Sequence, residues 1–310
     1  MKNTYKTLFI KFLVFVVLFV IVDYASGFLY RYLENKALDH SPYAMVTQYT
    51  VKKVDSDIVI IGASEAQHGY VSQIIEDSLG LSTYNCGKDG IPIYYHEAMI
   101  NCILNRYSPS IIIWSIPPDL LSKPSQKEID ALSQLNSFYY TDEYCRELIN
   151  NKSKYEPLKM FFQSYAYNSR FLPLLYKSFG QDYSYQKGYA PISGTEIDLK
   201  RHQKVWENDY DEDMAARFSA ILKRCKEQNV EPILVFTPRY EYDNHEDLVQ
   251  YKKMKEIVDQ LGVCLVEDLY NDEELMQVEY FRDYAHLNDV GAPLFTNKLI
   301  GFIKWCKKNE

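Results

Sequence analysis

The chain has 310 residues, 47% of them hydrophobic, which suffices for one large domain or two small ones built around a core of ordinary size. Its formal net charge of −8, with an isoelectric point near 5.4, argues against a nucleic-acid binder, whose affinity needs a basic surface to displace counterions. The same field disfavours polyphosphate ligands, unless a local basic cleft overrides it.

The opening stretch is unlike the rest. Leu8 to Val22 is apolar except for Lys11, and Lys2, Lys6 and Lys11 mark its N-terminal side. A bilayer needs about 20 apolar residues, so Thr7 and the segment Asp23–Phe28 would have to extend the span, with Lys11 snorkelling to the near interface. Two readings stand. One is an uncleaved signal anchor over residues 1–34, continuing into the amphipathic "FLYRYLENK"; the other is a leader cleaved at the small residues Ala25-Ser26-Gly27. In both, the lysines stay cytoplasmic and the remainder is exported. Residues 35–56 then read as a polar linker.

From residue 57 strands and helices alternate. Expected strands are Asp57–Gly62, Ser82–Gly87, Ser110–Ile116, Glu231–Thr237 and Val263–Asp268. Expected helices are Tyr70–Gly80, Tyr94–Arg106, Asp211–Gln228, Asn244–Leu261 and Asn288–Lys307. Continuous apolar strands alternating with amphipathic helices predict a parallel sheet covered on both faces, a three-layer α/β/α flavodoxin-like architecture over residues 57–310. Right-handed crossovers place the functional edge at the carboxyl ends of the strands. Ser64, Gly87, Asp119 and Arg239 all lie at such ends.

Residues 120–201 break the rhythm with "SFYYTDEY", "FFQSYAYNSRFLPLLY" and "DYSYQKGY". A structureless stretch of this length is improbable inside a compact domain, so a helical insertion is expected, acting as a lid or substrate wall. Its tyrosines suit a carbohydrate platform, or else reflect a chain that holds 28 of them.

The six cysteines, Cys86, Cys102, Cys145, Cys225, Cys264 and Cys306, form no CxxC pair, which removes zinc-knuckle and thioredoxin-type readings. Their placement in expected strands and helices suggests thiols that are mostly free and buried. No group of residues has metal-ligand spacing and no phosphate-binding glycine loop occurs, so neither a metal nor a cofactor is called for. The acidic run "ENDYDEDM" reads as a solvated helix start.

The stretch "IIGASEAQHGY" carries the functional question, because a buried strand runs straight into Gly-Ala-Ser. A turn explains the composition; a nucleophile explains it only if a base and an orienting carboxylate exist elsewhere. Near the C-terminus "YFRDYAHLNDVG" offers Asp283 and His286, three apart on one loop before the last helix. Their order, with serine after the first strand and D-x-x-H before the last helix, resembles the SGNH (GDSL-like) hydrolase superfamily. Gly62-Ala63-Ser64 matches its first block, Asn85-Cys86-Gly87-Lys88-Asp89-Gly90 its second (N-x-G-x-x-G), and Asp283/His286 its fifth. The α/β-hydrolase elbow G-x-S-x-G is not matched, since Ala66 stands at its second glycine.

The resemblance implies that Ser64 attacks an ester carbonyl, His286 takes its proton and Asp283 holds the imidazole. It also implies that the backbone N–H groups of Ser64 and Gly90 hold the oxyanion. The third block, G-x-N-D, is absent: the third strand runs into "SIPPDLL" with no asparagine. That departure, with Ser64-Glu65, His286-Leu287 and the N-terminal helix, is similar to the membrane-anchored branch that includes DltD-like envelope proteins. That branch is associated with moving or removing acyl groups on cell-envelope polymers. Asn85, Asp119 and Arg239 are candidates for substrate contact, Arg239 alternatively pairing with Glu241 or Asp243. His68 is expected as a partly solvated histidine at a helix start.

The expected function is an extracytoplasmic serine esterase or O-acyl(acetyl)transferase acting on an acylated envelope polysaccharide through a Ser64 acyl-enzyme. The membrane, and a membrane O-acyltransferase, are its expected partners. Two alternatives stay open: a catalytically silent glycan-binding or accessory protein of the same fold, and a secreted esterase with a cleaved leader.

Overall fold

Five short stretches rich in β-branched residues, Ile58–Ile61 (β1), Thr83–Asn85 (β2), Ile111–Ser115 (β3), Glu231–Val235 (β4) and Cys264–Val266 (β5), pair into one sheet in the order β2-β1-β3-β4-β5. Every pairing is parallel. This computed structural model describes residues 2–41, 43–168, 170–180, 186–196 and 198–308. The helices, in chain order, are α1 (Lys2–His40), α2 (Val46–Lys52), α3 (Ser64–Gly69), α4 (Ser72–Leu79), α5 (Ile93–Leu104), α6 (Gln126–Ala131), α7 (Glu143–Lys152), α8 (Glu156–Met160), α9 (Gln163–Ala166), α10 (Phe171–Lys177), α11 (Glu212–Glu227), α12 (Val249–Leu261) and α13 (Gly291–Cys306). They divide between two compact units, Met1–Met45 with Ser133–Asp182, and Val46–Leu132 with Tyr183–Glu310.

The second unit holds the sheet. Strand side chains alternate between its two faces. Ile58, Ile60, Ile111, Ile113, Ile233 and Val235 join one core with Ile75 of α4 and Phe295, Leu299 and Ile303 of α13. The alternate positions face the other layer, where Trp114 meets His96 of α5 and Phe218 of α11. Both faces are therefore covered, and the expected three-layer α/β/α architecture is observed. The order 2-1-3-4-5 has its topological switch between β1 and β3, where a crevice opens at the carboxyl ends.

The first unit is built on α1. Its residues from Leu8 to Val22 expose nearly all their large apolar side chains, and the segment Thr4–His40 is long and apolar enough to cross a membrane. From Asp23 onward α1 is packed by the insertion. The Asp23 carboxylate accepts the backbone N–H of Gln163 (2.7 Å) and of Ser164 (2.9 Å) at the start of α9. Tyr30 stacks on Tyr167 at 5.0 Å, and Ser178 Oγ donates to Leu33 O at 3.0 Å.

Two expectations need correction. The residues read as a linker, 35–56, are mostly helical: α1 continues through His40 because Ala37 and Leu38 are buried, and α2 buries Val46, Thr47 and Thr50. The insertion is helical as expected, but its residues Ser133–Asp182 group with α1, which supplies the apolar partner these short helices lack. Part of the tyrosine-rich "DYSYQKGY" lies outside the described residues. The cysteines are mostly free and buried, as expected: Cys86, Cys102, Cys145 and Cys225 are buried thiols, while Cys264 of β5 and Cys306 at the end of α13 form a disulfide.

Candidate active site

The turn after β1 is tight because Gly62 lacks a side chain. A Cβ there would lie 2.5 Å from Ala66 Cβ and 2.9 Å from Ser115 Cβ, so no larger residue fits without moving α3 or β3. The chain reverses in two residues and Ser64 becomes the first residue of α3.

The D-x-x-H loop is fixed just as locally. Phe281 and Leu287, both buried in the core, pin its two ends and bridge to each other. Asp283 Oδ1 accepts the backbone N–H of Ala285 (2.8 Å) and of His286 (3.1 Å), an Asx turn that closes the loop on itself. Asn288 ends it: its side chain donates to Glu279 O at 2.7 Å and accepts the N–H groups of Val290 and Gly291, both at 3.0 Å, starting α13.

These two local constructions meet. His286 Nε2 lies 2.7 Å from Ser64 Oγ, and His286 Nδ1 lies 2.9 Å from both carboxylate oxygens of Asp283. With a carboxylate at Nδ1, that nitrogen carries the proton, and the Nε2 lone pair faces the serine hydroxyl. Burial alone would raise the Asp283 pKa. The hydrogen bonds from His286 and from the backbone of Ala285 outweigh it and bring the group down to about 2, so it stays ionised throughout the neutral range. Chemically, the array is an alcohol, a base aimed at it and an anion that holds the base in place.

Glu65 follows the serine, its Oε2 3.3 Å from Ser64 Oγ. Its other oxygen accepts Arg239 Nη1 at 2.7 Å, and Arg239 Nε donates to Glu241 at 2.7 Å. Arg239 is therefore a largely sheltered cation shared by two carboxylates, of which the sequence pointed to Glu241 alone. Together with Asp119, Glu65 and Arg239 line a cavity of about 510 Å³ that opens beside Ala63 at the strand ends. Burial pushes the Asp119 carboxyl up to about 6, against the weak pull of Lys204 and Arg239.

Asn85 does not reach that cavity. It is fully buried, donating to Ala66 O (2.7 Å) and Tyr70 O (3.0 Å) and accepting Gly87 N–H (2.8 Å), so every hydrogen-bonding group of its amide is spent bracing α3 against β2. Its expected substrate contact is corrected to a structural one. Gly90 sits exposed on the following loop with φ 66°, a left-handed conformation that favours glycine. The loop is tied to α3 through Gln67 Oε1, which accepts Asp89 N–H at 2.7 Å.

His68 also differs from expectation. It is buried, with Nδ1 2.6 Å from Ala190 O and Nε2 2.9 Å from Asp89 Oδ1. Burial lowers its pKa, but these two acceptors outweigh it and raise the value overall, favouring an imidazolium. Its ring stands edge-on to His286, 5.8 Å between centroids.

Sequence reasoning missed His96 and Trp206. Both line the cavity, one from the middle of an apolar helix and one from a coil without periodicity, and neither segment carries a local signal. His96 Nδ1 accepts the Trp114 indole N–H at 3.2 Å, and burial pushes its pKa down to about 3, so it is a neutral Nε2–H imidazole. At the end of β3, where the expected third donor is absent, Ser115 Oγ bonds Thr237 Oγ1 (2.7 Å), which in turn bonds Tyr70 OH (2.8 Å).

No family model matches the chain, and no curated protein matches it. Among solved structures it is similar to a psychrotrophic esterase, EstA from Pseudoalteromonas sp., in a form inhibited by monoethylphosphonate. Identity is 11%, the TM-score is 0.39, and the match covers 80% of this chain and 97% of that one.

Proposed function

We propose that the protein is a serine-dependent acyl-ester hydrolase or acyltransferase of SGNH type, anchored in a membrane by α1 and working on its outer side. The observation that carries the reading is the unbroken Ser64–His286–Asp283 hydrogen-bond chain at the carboxyl edge of the sheet. In the reaction, Ser64 Oγ bonds to the ester carbonyl carbon as its proton passes to His286 Nε2. The tetrahedral oxyanion collapses, the C–O bond to the alcohol breaks, and His286 returns the proton to the leaving oxygen. Water or an acceptor hydroxyl then releases the acyl group by the reverse sequence. Asp283 stays anionic and stabilises the imidazolium at each stage. The backbone N–H groups of Ser64 and Gly90 are the assigned oxyanion donors, each worth about 3 kcal/mol in such sites.

Three features support an exported, anchored protein. The lysines precede the apolar segment. The Cys264–Cys306 disulfide suits an oxidising compartment. The bonds of Asp23 to Gln163 and Ser164 make the apolar helix part of the folded unit, and cleavage at Ala25–Gly27 would remove Asp23 from its partners. The cavity beside Ser64 mixes apolar walls with Glu65, Asp119, Lys204 and Arg239, polar groups that suit an oxygen-rich substrate, and an acetylated envelope polysaccharide is the class we assign.

The test is labelling of the full chain by a fluorophosphonate, with the adduct located by mass spectrometry. Labelling at Ser64, abolished in Ser64→Ala and His286→Ala, is expected. A folded protein that does not label favours the second reading, a silent glycan-binding protein or accessory partner of a membrane O-acyltransferase. The missing third-block asparagine is what speaks for it, since Pro117 and Pro118, beyond β3, have no N–H to offer in its place.

A further inference from the structure

The insertion carries exposed apolar side chains in an unusual place. Leu158 is 65% exposed and Phe161 47%, and between them stands Lys159, with Lys154 and Tyr155 just before. Such a mixture of apolar, aromatic and basic residues on one short turn costs stability in water and is favoured at a lipid headgroup boundary.

The depth of this turn is set by α1. Phe162 lies edge-on to Phe19, 6.1 Å between ring centroids, and Phe161 lies edge-on to Tyr24 at 6.1 Å. Phe19 belongs to the uninterrupted apolar stretch, four residues before Asp23. At 1.5 Å per residue the Phe162 contact is therefore about 6 Å toward the bilayer from Asp23. Asp23 opens the segment Asp23–Phe28 within which the span ends, and the backbone N–H groups of Gln163 and Ser164 satisfy its carboxylate. One element thus caps the first carboxylate along α1, lays Phe162 alongside the apolar stretch at Phe19 and lays Phe161 against Tyr24, just past Asp23. A helix that spans the bilayer through Val22 takes the α8–α9 turn into the interface with it.

We propose that the α8–α9 turn is a second membrane contact: Leu158, Phe161 and Phe162 enter the outer leaflet beside α1, and Lys154 and Lys159 meet lipid phosphates. The expected depth of about 6 Å falls within the 5–10 Å over which amphipathic segments bury their apolar face. Lys159 is also paired with Glu156, at 2.7 Å, and Glu156 accepts the Tyr165 hydroxyl at 2.9 Å, so the charged side of the turn is held away from its apolar side. This contact rests on the reading of α1 as a retained span.

The experiment uses the full chain in vesicles of phosphatidylcholine with a minor share of phosphatidylglycerol, doped with a lipid bearing a shallow nitroxide on its acyl chain. An environment-sensitive fluorophore is attached to Phe161→Cys, to Phe15→Cys within the apolar stretch, or to Tyr176→Cys on α10, which packs near Leu33, well past Asp23 along α1; the four native free thiols are buried. Strong quenching at 161 and 15, each at least several times that at 176, is the expected result. Quenching at 15 with none at 161 overturns the membrane contact and leaves the span standing. Absence of quenching at 15 overturns the span and the contact together. A Leu158→Cys reporter repeats the measurement one turn away, so that a fold damaged at 161 does not decide the outcome.

Discussion

Replacing Asp119 by asparagine tests the cavity without touching Ser64. Burial raises the carboxyl from 3.8 to about 6, so in the folded protein it keeps its proton roughly two pH units longer than in the unfolded chain. Between those two values the native state binds more protons than the unfolded state, and stability falls as pH rises. At 1.36 kcal/mol per unit the loss approaches 3 kcal/mol, complete just above pH 6; residual water in the cavity makes this an upper figure. Asparagine does not titrate. The gain of Asp119→Asn over wild type should therefore grow by about 1–3 kcal/mol from pH 4 to pH 7, whatever contacts the amide itself makes. Denaturant titrations of the full chain, followed through the buried Trp114, measure the difference at each pH. A difference that is flat with pH, or that shrinks as pH rises, would refute the desolvated carboxyl.

Further outcomes follow from the same geometry. Asp283→Asn should cut the rate of fluorophosphonate labelling roughly 10³–10⁴-fold and lower stability near neutral pH by only about 1 kcal/mol, because the amide oxygen still accepts the loop N–H groups while the solvent-screened charge paired with His286 is lost. Arg239→Met leaves Glu65 and Glu241 without their shared cation and should cost about 3–5 kcal/mol, part of it recovered by adding Glu241→Gln. Cys306→Ala opens a loop of 42 residues and should lower stability by up to about 4 kcal/mol under oxidising conditions, with no difference from wild type once both are reduced.

The sheet was legible because its strands are buried on both faces and read as unbroken apolar runs, "IVII" and "IIIW" above all. The longer helices of the sheet unit, α4, α5, α11, α12 and α13, announced themselves by periodicity, α4 and α12 also by the glycines Gly80 and Gly262 at their ends, whereas the short α2, α3 and α6 did not. The insertion did not, because α8 and α9 are only 5 and 4 residues long, too short for a period to show. The Asp283–His286 contact is local and readable from spacing, whereas its meeting with Ser64, 222 residues away, was reached through family resemblance. Asn85 was misread because a strand-end asparagine looks the same in sequence whether it faces a substrate or braces a turn. His96 and Trp206 reach the cavity through tertiary packing alone.

The disulfide between Cys264 and Cys306 encloses the whole stretch that carries Asp283 and His286. A protease that nicks any exposed loop between them cuts the backbone without producing a separate piece, because β5 and α13 remain covalently joined. On the proposed outer side of the membrane, where proteases act, that makes a single cleavage in this stretch a survivable injury: the two pieces stay joined through β5 and α13.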